Sequence, residues 1–322
     1  MTGGASRPTV LVVVGPTAVG KSAFALCACE QFLGELVSAD SMQVYRGLET
    51  ATSKPGAEER ARVPHHGIDL ADPGQDFSMG DFVRSAERSI DGIHARGRLP
   101  VLVGGTGLYV RGLLRGVAEA PRRSPRLRAR LDALAARRGV PWLHRMLRRV
   151  DPHTASRLPV RDRQRIARAL EVFFSARRPL SSLIGASPFG EDRYDAIKIG
   201  LDMRRDELHR RIDARVDGFF AAGLVDEVKS LLASGCPPSA NALKALGYRE
   251  VLSFLQGETT LEEAITLTRR NTRRYAKRQS TWFRKEPGVV WLEIDPRSPE
   301  RFEAALEHAG REIARRRDAA WA

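Results

Sequence analysis

Hydrophobic and polar positions divide the 322-residue chain into two textures. The first opens with an unbroken apolar run, residues 10–14 (VLVVV), which reads as a buried strand. A glycine loop follows, and beyond it Ala, Leu and Phe recur at helical spacing. Residues 35–39 predict a second strand ending on Asp40, and residues 99–103 another ending in Gly104, Gly105 and Thr106. Ser78 followed three residues later by Asp81 predicts a capping box at the head of a helix over 82–93. Strand alternating with helix at this rhythm indicates a parallel, doubly wound sheet.

From about residue 118 the texture changes. Strand-like runs vanish, and Leu and Ala recur three and four apart among arginines, which predicts an all-helical insertion ending near Gly190. Strand character returns over 194–202. Long helices are expected over 205–233, over 242–255, and from the Thr260–Glu263 capping pair to about Lys285. A last strand over 289–294 precedes a C-terminal helix opened by Ser298 and Pro299. The expected domains are the first part of an α/β core (1–117), an Arg-rich helical insertion (118–190), and the second part of the core (191–322).

A hydrophobic fraction of 42% excludes wholesale disorder. The apolar run is far too short to cross a bilayer and lacks the flanks of a secretion signal. Three cysteines, Cys27, Cys29 and Cys236, suggest neither a disulfide framework nor a zinc site, so a reduced, cytoplasmic, soluble monomer is expected. The formal charge is +14, and 46 of the 53 basic residues are arginine, a skew that codon bias alone could produce. Their placement is another matter. Residues 122–178 hold 17 arginines against four acids, and residues 269–285 hold eight basic residues and no acid. Concentrated charge of one sign points to a polyanion such as nucleic acid.

The strongest motif is GPTAVGKS, residues 15–22, which fits GxxxxGKS/T with a strand before it and a helix after it. Such a loop wraps an anion in backbone amides at a helix N-terminus. Lys21 adds positive charge, and the Ser22 hydroxyl suits Mg²⁺. The fold class is therefore α/β, a P-loop NTPase-like doubly wound parallel sheet with an all-helical insertion domain. No acid ends the 99–103 strand where a phosphoryl-transfer enzyme usually places one for its metal, so the loop could hold a departing diphosphate instead. Asp40, at a strand end on the ligand-binding rim, is a candidate general base, or else a cap or a supporting group for metal. Ser41, Met42 and Gln43 beside it offer a polar loop to a second substrate. His65 and His66 read as structural. Tyr275, Trp282 and Phe283 read as a core stripe, with arginines on the opposite helix face. Three functions stay open on these residues: a transferase in which a carbon bearing a departing diphosphate is attacked, a small-molecule kinase, and a non-catalytic RNA-binding protein.

GPTAVGKS, SADSMQVYRGLETATSKP, LVGGTGLYVRGLL, DRQRIARALEV, KALGYRE and AKRQSTWFR occur in this order. Together they resemble the bacterial tRNA dimethylallyltransferase family over nearly the whole chain. The resemblance implies transfer of a dimethylallyl group from dimethylallyl diphosphate, with Mg²⁺, to the exocyclic amine of the adenine 3′ of the anticodon in a tRNA stem-loop. It implies that Thr17, Ala18, Val19, Gly20, Lys21 and Ser22 bind the prenyl diphosphate, within a wider nucleotide-type loop that includes Gly15 and Pro16. It makes Asp40 the general base and Thr106 a group near the reacting adenine. Asp40, Ser41, Met42 and Gln43 would touch tRNA, as would Thr106 and Arg128. Two further tRNA segments are implied: Gln164, Arg165, Ile166, Ala167 and Arg168, then Lys244, Ala245, Leu246, Gly247, Tyr248 and Arg249. Ser53 departs from the pattern, where the family often has Ala before Lys-Pro.

Overall fold

Five consecutive apolar residues in a strand cannot leave either face in water, and β1 (Thr9–Val14) is buried from Val10 onward. The computed structural model describes residues 7–116, 120–121, 123–184 and 189–321, with side chains to 316. The described strands β1, β2 (Gly34–Ser38), β3 (His65–His66), β4 (Leu99–Val103), β5 (Asp195–Asp202) and β6 (Val289–Glu293) form one sheet in the order β3-β2-β4-β1-β5-β6. Every neighbouring pair is parallel; Leu11 stands opposite Val101 on one side and Ile197 on the other.

This order decides where the chemistry can sit. Because β2, β4 and β1 are parallel neighbours, the segments leaving their C-terminal ends emerge on one edge. Those segments are Asp40, residues 104–106 and the glycine loop. Backbone bonds lock them together: the Ala39 amide donates to Val103 (2.7 Å), the Gly104 amide to Val13 (3.2 Å), and the Thr106 amide to Ala39 (3.2 Å). The fit leaves no room for a side chain at Gly104, where a Cβ would lie 2.3 Å from the Ala39 carbonyl oxygen.

Both expected capping boxes form. Ser78 and Asp81 exchange hydrogen bonds at the head of the helix Met79–Ala95, as do Thr260 and Glu263 at the head of Leu261–Phe283. Two expected helices are each broken. The stretch 205–233 is Arg205–Ala221 and Leu224–Ala233, separated where Gly223 takes φ +91°. The stretch 242–255 is a 3₁₀ turn, Ala242–Lys244, followed by the helix Tyr248–Leu255. The two-residue strand β3 carries no run long enough to read from sequence; His66 closes it by bonding Glu35 at 2.7 Å, a structural role.

Residues Arg115–Glu191 form a compact unit of their own, helical throughout its described elements. The expected boundary at 117–118 and Arg122 lie outside the described residues. Leu131, Leu143, Leu147, Ile166 and Leu170 make the core of this unit. The four acids of residues 122–178 are engaged internally. Asp151 and Asp162 cap helices, Asp132 pairs with Arg163 (2.9 Å), and Glu171 pairs with Arg168 (3.0 Å). No helix among the described residues is long and apolar enough to cross a membrane.

Gly104→Ala is expected to lower unfolding stability by about 1–3 kcal/mol, since the new methyl must push β2 and β4 apart. Chemical denaturation measures it; a stability equal to wild type would contradict the packing described.

Candidate active site

The loop after β1 turns into the helix Lys21–Phe32 at Gly20, whose φ of +106° carries no side-chain cap. An uncapped N-terminus leaves helix amides available to an anion. Thr17, Ala18, Gly20, Lys21 and Ser22 line a cavity of about 810 Å³. The same cavity is lined by Asp40, Ser41, Met42, Gln43, Gly104 and Gly105 from the β2 and β4 ends. Opposite them stand Arg211 and Arg215 of the helix Arg205–Ala221, and Tyr275, Arg278 and Gln279 of the helix Leu261–Phe283.

The polar contacts tie these segments together. Gln279 accepts from the Thr17 amide (2.8 Å) and donates to the Gly105 carbonyl (3.0 Å). The Arg211 Nε donates to the Ala18 carbonyl at 2.9 Å. Asp40 Oδ1 accepts from the Met42 amide at 2.8 Å, which turns the loop back on itself. Thr106 Oγ1 accepts from the Ser41 amide at 3.1 Å and does not itself line the cavity.

Electrostatically the site sets several cations, Lys21 and Arg215 among them desolvated, against the Asp40 carboxylate. Lys21 donates to the Pro16 carbonyl at 2.7 Å. Loss of water lowers its pKa from 10.5 to about 7; Arg215 pushes the same way, and Asp40 opposes. Burial also lowers the Arg215 pKa, again opposed by Asp40. Desolvation followed by the nearby Asp40 keeps the Tyr275 phenol protonated, facing Thr106 and Gln279. An arriving polyanion would relieve the repulsion among the cations.

A family model described as IPP transferase matches residues 43–286. The chain belongs to the IPP transferase family. The tRNA dimethylallyltransferase of Geobacter sulfurreducens is 48% identical over 288 residues, 89% of this chain and 93% of that protein. That of Anaeromyxobacter dehalogenans is 49% identical over 300 residues, covering 92% and 99%. A crystal structure of the full-length tRNA isopentenylpyrophosphate transferase of Bacillus halodurans has a TM-score of 0.68 at 40% identity, covering 95% of this chain and 96% of that one. A eukaryotic dimethylallyltransferase acting on tRNA reaches 0.78 at 27% identity, covering 90% and 75%.

The family-derived positions stand in different surroundings. In the glycine loop, the Val19 side chain is core, and Gly15 and Pro16 are buried outside the cavity lining. The Gln43 amide is engaged, accepting from Ser38 Oγ (2.7 Å) and donating to the carbonyls of Thr52 (3.0 Å) and Ser53 (3.1 Å). Lys244, Ala245, Leu246 and Arg249 line the cavity, but Gly247 does not, and Tyr248 is buried with its hydroxyl on Glu227. In the helical unit, Gln164 and Arg165 are exposed, whereas Ile166 and Ala167 are fully buried core. Arg168 is held by Glu171 and the Pro121 carbonyl, and Arg128 lies 3.6 Å from Asp132.

Only Phe283 of the expected aromatic stripe is core. Tyr275 faces the cavity, and Trp282 is exposed, stacked by Arg111 at 4.7 Å and filling the space over Gly107. Sequence reasoning missed Arg211, Arg215, Tyr275, Arg278 and Gln279 as site residues. Their one local signal is a polar stripe at three- and four-residue spacing within helices that otherwise bury apolar faces.

Inorganic pyrophosphate binding at about pH 8.5 should take up a proton that Lys21→Met does not take up, because desolvation lowers the Lys21 pKa to about 7 and an anion beside it would raise it again. The same linkage makes affinity fall as pH rises past that value. Calorimetry in buffers of different ionisation enthalpy reads the difference; equal proton counts for the two proteins would contradict it.

Proposed function

We propose that this chain transfers a dimethylallyl group from dimethylallyl diphosphate to the exocyclic amine of the adenine 3′ of the tRNA anticodon, releasing diphosphate. The observation that carries the reading is that the phosphate-type loop and Asp40 open into one cavity. A diphosphate held at residues 17–22 can therefore present its allylic carbon to an amine whose proton is accepted by Asp40.

The step balances simply. The amine nitrogen forms a bond to the allylic carbon as the carbon–oxygen bond breaks; the electron pair leaves with diphosphate, and the amine proton passes to Asp40. Loop amides, Lys21 and Arg215 stabilise charge on the leaving group. An adenine amine is a weak nucleophile, its lone pair being delocalised into the ring, so a carboxylate positioned for its proton matters. Walls supplied by Leu246, Tyr275 and Phe219 help keep water from the allylic carbon. Reaching the cavity requires the base to swing out of its stack.

Mg²⁺ fits the donor set. Among the described residues no cluster of three or more His, Cys, Asp or Glu could hold a metal alone, whereas the exposed Ser22 hydroxyl borders the phosphate-type loop. That suits a cation bound mainly by substrate phosphate, a side-chain oxygen and water. Ser22 would hold it, and it would supply charge neutralisation for the departing diphosphate.

The helical unit supports the tRNA assignment through its excess of arginine, with Gln164 and Arg165 exposed for the anticodon-stem backbone. Cysteines without disulfide partners support a cytoplasmic setting.

With prenyl-labelled dimethylallyl diphosphate and Mg²⁺, label should enter unmodified tRNA; entry into AMP but not tRNA would overturn the substrate assignment. Asp40→Asn keeps an oxygen for the Met42 amide yet cannot accept the proton. It should lower kcat by about 10²–10⁴ while tRNA affinity stays near wild type. Unchanged turnover, or loss of tRNA binding instead, would remove Asp40 from the base role.

A further inference from the structure

Ser53, the position that departs from the family pattern, has φ +50°, a left-handed conformation uncommon outside glycine. The turn is held from several sides. The Ser53 amide donates to the Thr50 carbonyl at 3.2 Å, and its own carbonyl accepts from the Gln43 side chain at 3.1 Å. Next in the chain, the fully buried Lys54 ammonium bonds the Tyr45 carbonyl (2.8 Å), Glu49 (2.9 Å) and Asp69 (2.6 Å). A backbone clamped this firmly in a costly conformation directs its side chain to one place.

That place is Arg215. Its Nε donates to Ser53 Oγ at 3.0 Å, and the Phe219 ring lies 5.7 Å from its guanidinium carbon. Among the described residues the two terminal nitrogens find no protein acceptor, and Arg215 shares the cavity with Lys21 and Asp40. An arginine offers five N–H donors in a rigid fork, and anchoring Nε leaves the outer pair aimed as a unit.

We propose that Ser53 is a positioning residue: its hydroxyl orients the Arg215 guanidinium so that the terminal nitrogens meet the diphosphate of the donor. The inference rests on reading this cavity as a diphosphate site. Without the hydroxyl, Arg215 must be ordered by the ligand itself, and donor affinity falls.

The test uses inorganic pyrophosphate binding and steady-state kinetics on Ser53→Ala and Ser53→Gly, alone and with Arg215→Met. Both single variants should weaken pyrophosphate binding about five-fold, the usual size of one lost hydrogen bond, and raise the donor KM similarly with the tRNA KM unmoved. Glycine relieves the left-handed strain, so agreement between Gly and Ala assigns the effect to the hydroxyl and not to backbone conformation. In the Arg215→Met background neither change should weaken binding further. Wild-type affinity in both single variants, or an undiminished loss without Arg215, would overturn the proposal. A wild type that binds pyrophosphate with this Ser53 dependence but transfers no prenyl group would uphold the positioning role and overturn the proposed function.

Discussion

One buried side chain couples the two halves of the site. Gln279 spans from the Thr17 amide to the Gly105 carbonyl, so the loop after β1 and the loop after β4 are held by one amide. Both ends of that amide are satisfied, and its removal would strand a donor and an acceptor in a dry environment. Gly105 is part of the same fit: a Cβ there would lie 1.9 Å from the Gln279 nitrogen. The anion cradle and the Asp40 rim thus keep a fixed separation before any substrate arrives. Pre-organisation of this kind is what a transfer between two bound partners needs.

Charge is arranged around that frame with a deliberate imbalance. Lys21, Arg211, Arg215 and Arg278 share the cavity with Asp40. Loss of water and the neighbouring Arg215 make a charge costly at Lys21, which is why its ammonium is disfavoured there. A bound diphosphate would repay the cost, so under the proposed function affinity for the donor would arise partly from tension in the free protein. Asp40 also holds down the repulsion, opposing the shifts of both Lys21 and Arg215. Under the proposed function one carboxylate would serve both the free protein and the reaction.

Much of this was readable from residue patterns, and the failures have physical causes. The β1 run, the glycine loop and both capping boxes are local signals, so their positions could be read within a few residues. β3 is two residues long and exists only because β2 lies beside it. The helix breaks at Gly223 and before Tyr248 depend on backbone turns that helical periodicity does not register. Arg215, Tyr275 and Gln279 reach the cavity from helices far along the chain, and their one local signal, a polar stripe at helical spacing, is shared by many surface helices. Motif matching also treats a segment as uniform. In residues 164–168 the helix turns Ile166 and Ala167 into the core while Gln164 and Arg165 face water. A contact carried over by resemblance applies to one face of such a segment, and only packing says which.

The central claim is that the glycine loop holds a leaving diphosphate and does not hand on a phosphoryl group. Donor carrying one label in the prenyl carbons and another in the terminal phosphorus, reacted with unmodified tRNA, tests it directly. The account predicts carbon label on the anticodon-loop adenine and all phosphorus label in inorganic diphosphate. Phosphorus label covalently attached to RNA, or carbon label recovered only as free prenyl alcohol, would contradict it.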